Sequence, residues 1–127
     1  MTTHNNTSTA AQETSARLTT LDPSAGHITT INTYTVTPER AEEVLEYPER
    51  SAMETVRHVP GFLSFNFHLS LDRTQIVNYG QRESREALAA ARERPKILAL
   101  RSETAKIAVS SKPMLYELRK SVPAPSK

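Results

Sequence analysis

The sequence predicts an α+β, ferredoxin-like fold: an antiparallel sheet built in the order β-α-β-β-α-β, with the helices on one face. Three observations carry this reading. A β-branched run begins at Ile28, helical patterns begin at Thr37-Pro38-Glu39 and at Ser84, and the chain between them, Val59 to Ser84, has the signature of a hairpin. Helices on one face leave the other face of the sheet uncovered. A second copy is expected to cover it, so the fold is read as one half of a dimeric α/β barrel.

Ile28 to Val36 (Ile-Thr-Thr-Ile-Asn-Thr-Tyr-Thr-Val) is rich in β-branched and aromatic residues and forms the first strand. Thr37 is placed to cap a helix, Pro38 suits its first position, and Glu39 puts an acid in the first turn. Ala41, Val44, Leu45, Ala52, Met53 and Val56 recur at helical spacing, and Pro48 is expected to kink or split that helix. Pro60-Gly61 ends it. Strand two is predicted from Phe62 to Leu71, a short Asp72-Arg73 turn reverses the chain, and strand three runs from Thr74 to Gln81. Ser84 caps an Ala-rich helix over Arg85 to Arg94, and Pro95 breaks or restarts it. Ile97, Leu98, Leu100, Arg101, Ala105 and Ile107 continue a helical pattern, and Lys112 to Leu118 forms the last strand.

A chain of 127 residues makes one domain. The hydrophobic content of 37% is low because the two ends have little to bury. Residues 1–26 read as a disordered or loosely attached tail, 27–120 as the folded domain, and 121–127 as a flexible Pro/Ser/Lys tail. The absence of cysteine excludes a disulfide framework and a thiolate nucleophile or metal site, and fits a cytoplasmic location. No apolar run is long enough to span a membrane. A net charge of +2, with acids and bases interspersed, gives no footprint for nucleic acid. With three glycines there is no phosphate loop, and His4, His27, His58 and His68 have no metal-ligand spacing. The composition therefore implies neither a bound cofactor nor a metal.

The candidate site residues lie inside strands, where polar side chains are disfavoured unless they have work to do. By alternation, Ile28, Thr30, Asn32 and Tyr34 share one face of strand one, and Asn78, Gly80 and Arg82 share one face of strand three. Phe62, Ser64, Asn66 and His68 share one face of strand two. If those faces look toward the helices, Asn32, His68 and Asn78 line one cavity together with apolar helix residues. Each residue also has a plainer reading. Asn78 could satisfy a backbone group, His68 could be a packed or half-exposed histidine, Arg82 could pair with Glu83 or Glu86 at the surface, and Arg101 could snorkel from its helix.

Two segments together resemble the antibiotic biosynthesis monooxygenase family. One is Ile31-Asn32-Thr33-Tyr34-Thr35-Val36-Thr37-Pro38-Glu39-Arg40-Ala41-Glu42-Glu43. The other is Val59-Pro60-Gly61-Phe62-Leu63-Ser64, followed by His68 and Ile76-Val77-Asn78-Tyr79-Gly80-Gln81-Arg82-Glu83-Ser84. The second is most similar to the anthrone monooxygenases of the actinorhodin pathway. The resemblance implies a homodimer that oxidises an aromatic polyketide, an anthrone-like phenol, to a quinone with O2 as co-substrate. It implies no metal and no bound organic cofactor, and leaves open a reduced flavin supplied from outside. It assigns Asn78 to the substrate oxygen, Arg101 to the balance of its negative charge, and His68 to the catalytic set. Asn32, Tyr34, Asn66, Arg82 and Leu88 would contact substrate. The chain departs from those enzymes at Arg82, where they carry Trp, and near Leu88, where they carry a helix Tyr. An arginine at that place suits a carboxylate or a more acidic phenol. Two other functions fit the same fold: a non-redox polyketide cyclase or isomerase using His68 with Arg82 or Arg101, and a non-catalytic polyketide-binding accessory protein.

Overall fold

The computed structural model describes residues 18–107 and 110–126. Residues 1–17 of the expected N-terminal tail, and Lys127 of the C-terminal one, lie outside the described residues. Four strands form one antiparallel sheet: β1 (Ile28–Thr35), β2 (Phe62–Leu69), β3 (Gln75–Arg82) and β4 (Ser110–Glu117), in the spatial order β2-β3-β1-β4. Helices α1 (Ala41–Glu54), α2 (Arg85–Arg92) and α3 (Pro95–Ile107) complete the predicted ferredoxin-like arrangement, with short 3-10 turns at Pro38–Arg40 and Val56–His58.

Several local expectations are refined. Thr37 precedes the first helical turn, but its side chain makes no capping bond, and Pro38 opens a 3-10 turn that passes into α1. The helix is not split at Pro48: α1 runs through it as one helix. Ala41, Val44 and Leu45 before the proline and Ser51 and Ala52 after it are all buried. Anchorage on both sides holds the helix together across one missing amide bond. Pro95 does restart the chain, separating α2 from α3. Ser84 caps α2 as predicted, its Oγ accepting from the Ala87 amide at 3.0 Å.

The β2–β3 turn is built by Asp72. Its Oδ1 accepts from Ser70 Oγ at 2.7 Å, from the Thr74 amide at 3.1 Å and from Thr74 Oγ1 at 2.7 Å. These bonds hold Arg73 at a φ of 63°. Gly61, at a φ of 83°, lets the chain enter β2 against Ala87 of α2; an added Cβ would collide with the Ala87 side chain.

The apolar core has two parts. Tyr34, Val36, Ala41, Val44, Leu45 and Ile76 form one, under α1; Val56, Val59, Ala91 and Ile97 form the other, beside Phe62, Phe65 and Leu100. A fully buried side chain such as Val44 or Ile76 contributes about 1.5–3 kcal/mol. The space between the two parts is only partly filled. Among the described residues the opposite face of the sheet carries no helix, and β4 is exposed from Lys112 to Glu117.

Candidate active site

The register of the sheet decides which side chains face the helices. Asn32 lies opposite Asn78, Thr30 opposite Gly80, and Tyr34 opposite Ile76. On β3's other side, Asn78 lies opposite Phe67 and Gly80 opposite Phe65. Gly80 keeps the middle of this surface low: a Cβ there would sit 2.7 Å from Thr30 Oγ1 and 2.9 Å from the Phe65 ring. Above it, α1, α2 and α3 line an open cavity of about 500 Å³, in the usual range for a small organic ligand.

Six of the predicted residues line this cavity: Asn32, Tyr34, Asn78, Arg82, Leu88 and Arg101. His68 and Asn66 do not. The expectation that His68 shares a cavity with Asn32 and Asn78 is corrected by a register shift between Phe62 and Ser64. The bulge inserts Leu63, reverses the alternation that follows, and turns Phe65 and Phe67 inward. His68 is exposed. Asn66 is tied down on its own face, its Nδ2 donating to the Tyr79 carbonyl at 2.9 Å and to Ser64 Oγ at 3.3 Å. Its Oδ1 accepts from Thr19 Oγ1 at 2.7 Å, which lays the end of the N-terminal segment against the sheet.

Asn78 is buried, and its Oδ1 has no hydrogen-bond partner among the described residues. Its plainer reading, a carboxamide satisfied by backbone, does not hold for that oxygen. Asn32 Nδ2 donates to the Tyr34 hydroxyl at 3.1 Å. Burial pushes the Tyr34 phenol above the ordinary tyrosine value, against the opposing effects of the Asn32 bond and the Arg101 charge. The phenol is therefore neutral at physiological pH, and Arg101 is near enough for its field to be felt there.

Arg82 is not a surface partner for Glu83 or Glu86. It is 4% exposed, its guanidinium lies 5.5 Å from the Phe62 ring centre and 5.7 Å from that of Phe65, and Nε and Nη1 have no acceptor among the described residues. Burial, reinforced by the charge of Arg92, lowers its pKa. Arg92, on α2, also lines the cavity, and burial together with the Arg101 charge lowers its pKa too. Sequence reading missed Arg92 because the Ala-rich pattern of α2 gave no reason to single out one arginine. The available signal was its spacing: Arg92 falls four residues after Leu88, on the same helix face.

No Asp, Glu or His is among the described residues lining the cavity. The ion pairs among the described residues involve Arg40, Arg50, Arg73 and Lys106, none of which lines it. The site thus combines apolar walls, two facing asparagines, a neutral tyrosine and three arginines without a carboxylate. It is suited to binding an aromatic molecule and stabilising negative charge on it. No group of three or more potential metal ligands occurs among the described residues, and no described helix is long and apolar enough to cross a membrane.

Comparison with known proteins agrees with this architecture. The profile of the antibiotic biosynthesis monooxygenase family matches residues 27–102. Tetracenomycin-F1 monooxygenase of Streptomyces glaucescens is 36% identical over 78 residues, which span 61% of this chain and 70% of that protein. The crystal structure of the ActVA-Orf6 monooxygenase of Streptomyces coelicolor, in complex with nanaomycin D, is 28% identical. It superposes with a TM-score of 0.68 over 83% of this chain and 96% of that one. SnoaB, described as a cofactor-independent oxygenase from Streptomyces nogalater, shares the fold at 24% identity, with a TM-score of 0.64 over 78% of this chain and 99% of its own.

Proposed function

Because the chain belongs to the antibiotic biosynthesis monooxygenase family, we propose that it is a cofactor-independent monooxygenase of polyketide tailoring that oxidises an anthrone-like phenol to a quinone. The observation that carries this reading is the pairing of Asn78, whose buried Oδ1 has no partner, with arginines in a cavity lacking any carboxylate or imidazole.

The carboxamide of Asn78 has both an acceptor and donors, so it can hold the reacting hydroxyl before ionisation and the oxyanion after it. With no histidine or carboxylate among the described residues of the cavity wall to act as base, the proton passes to water, and the residues favour ionisation by stabilising the product anion. Arg101 supplies that charge, and low-dielectric walls increase its effect. Tyr34, held by Asn32, stays protonated and can donate to the same region. The electron-rich anion transfers one electron to O2. Substrate radical and superoxide combine to a carbon-bound peroxide, which takes up a proton, and loss of water leaves the quinone carbonyl. One O2 is consumed for each methylene converted to a carbonyl, with one oxygen retained and one released as water. The apolar walls, Phe65 and Phe67 among them, shield the intermediates from solvent.

The cyclase alternative relied on His68, which lies outside the cavity. We further propose that two copies pack through the sheet face that carries no helix. Met114 and Tyr116, 46% and 42% exposed, belong to that uncovered side, and an obligate interface of about 2,000 Å² or more would enclose them.

The reading is tested by incubating the protein with an anthrone under air and under argon, without added metal or flavin. The expected result is O2-dependent formation of a quinone that carries one atom from isotopically labelled O2. Conversion under argon, or a product without label, would overturn it.

A further inference from the structure

We propose that Arg82, with Arg92 beside it, forms an anion subsite at one end of the cavity and selects substrates that carry a free carboxylate. The inference rests on the oxygenase reading of the same cavity and adds to it the charge and length of the substrate.

Arg82 is nearly completely buried, and two of its three guanidinium nitrogens lack acceptors. A buried arginine is normally matched by a carboxylate, because an unpaired charge away from water is costly. Here the nearby acids in sequence, Glu83 and Glu86, are exposed and make no ion pair with it. The rings of Phe62 and Phe65 fix the guanidinium in place, so it does not swing out to water. Arg92 reaches the cavity from the adjoining helix and adds a second positive charge where the protein supplies no negative one. The missing partner is thus an anion brought by the ligand.

The chemistry of the gap favours a carboxylate over a second phenolate. Two unsatisfied nitrogens need more than one acceptor atom. Nε–H and Nη1–H leave the guanidinium on different edges, so no single planar fork serves both; a carboxylate brings two oxygens that can bond to Arg82 and Arg92 together, whereas a phenolate brings one. Position sets the length. Arg82 follows Asn78 by four residues on the same face of β3, on the order of 13 Å between backbones at about 3.3 Å per residue, and its guanidinium leans back over Phe65, opposite Gly80, which shortens the span between the two groups. A fused polycyclic skeleton bridges that distance, with its reacting oxygen at Asn78 and its acid group at Arg82. The same reasoning gives the arginine at this position a function in place of the aromatic wall that Trp would provide.

The test uses an anthracenone carboxylic acid and its methyl ester, with binding measured by calorimetry under argon so that no turnover intervenes. Wild-type protein is expected to bind the acid about ten- to a hundredfold more tightly than the ester, the value of a hydrogen bond to a charged group. Arg82→Met should abolish that preference, and Arg92→Gln should reduce it. If Arg82→Met does not fold, the wild type and Arg92→Gln decide. Equal affinity for acid and ester in the wild type overturns the proposal, as does a preference undiminished by the variants. Oxygen uptake with each compound in air separates this from the oxygenase reading. Oxidation of both without preference removes the subsite and keeps the oxygenase. An Arg82-dependent preference without any uptake keeps the subsite and removes the oxygenase.

Discussion

Replacing Arg82 by methionine should stabilise the free protein, although it removes a large buried side chain. Each buried guanidinium nitrogen without an acceptor costs about 1–3 kcal/mol, and Arg82 has two. Against this stand the lost contacts of the cation with Phe62 and Phe65, about 0.5–1 kcal/mol each. The volume lost is small, because methionine keeps most of the aliphatic stem and adapts to its neighbours. At mid-range values, about 4 kcal/mol relieved against about 1.5 kcal/mol lost, the balance is a gain of about 2–3 kcal/mol, which for a domain of this size raises Tm by roughly 8–24 °C. The assay is thermal unfolding followed by circular dichroism at one fixed protein concentration, since a dimer's Tm depends on it. Stability gained by deleting a residue is the mark of a group kept for function. A Tm below that of the wild type would refute the reasoning, because it would mean that a structural partner already satisfies Arg82.

Gly80→Ala should lower stability by about 1–3 kcal/mol and weaken ligand binding, because the new methyl group meets Thr30 and Phe65 under the cavity floor; chemical denaturation measures the first effect and calorimetry the second. Tyr34 has a folded-state pKa raised above its ordinary value of 10.0, so the stability tied to its protonated form is fully present below that pH and is lost as pH rises through the higher folded value. Denaturation curves across that alkaline window should fall less steeply for Tyr34→Phe than for the wild type. Light scattering at micromolar concentration should give the mass of a dimer, and a monomer mass would remove the sheet-to-sheet assembly.

The fold was legible because its signals are local. The β-branched run of β1, Ser84 with its capping bond, Pro95 between two helices and the Asp72 turn each act within a few residues of themselves. Half of the polar hairpin was not legible, for one reason. Alternation assigns faces correctly only while the register is regular, and the extra residue at Leu63 reverses it for the rest of β2. The inward set Phe65, Phe67 and Leu69 is apolar and the outward set Ser64, Asn66 and His68 is polar, so hydrophobicity held the right answer where parity with Phe62 did not. Asn32 and Asn78 were legible from strand alternation as well as from the resemblance, Arg101 came from the resemblance alone, and the structure brings all three to one cavity. The burial of Arg82 was hidden because sequence neighbours offered Glu83 and Glu86 as partners, and only the packing of Phe62 and Phe65 shows that it turns the other way. Arg92 depends on how α2 sits over the sheet, a tertiary fact with no sequence motif.

We place the oxidation in the cavity between sheet and helices, at Asn78 and Arg101. The most direct measurement is the initial rate of oxygen uptake with an anthrone for Asn78→Ala and Arg101→Gln, with His68→Ala as the variant outside the cavity. Loss of one hydrogen bond to the developing anion, about 1.5–3 kcal/mol, predicts a ten- to hundredfold slower turnover in each of the first two, with folding intact, and a wild-type rate for His68→Ala. Wild-type rates in both Asn78→Ala and Arg101→Gln, or a loss confined to His68→Ala, would contradict it.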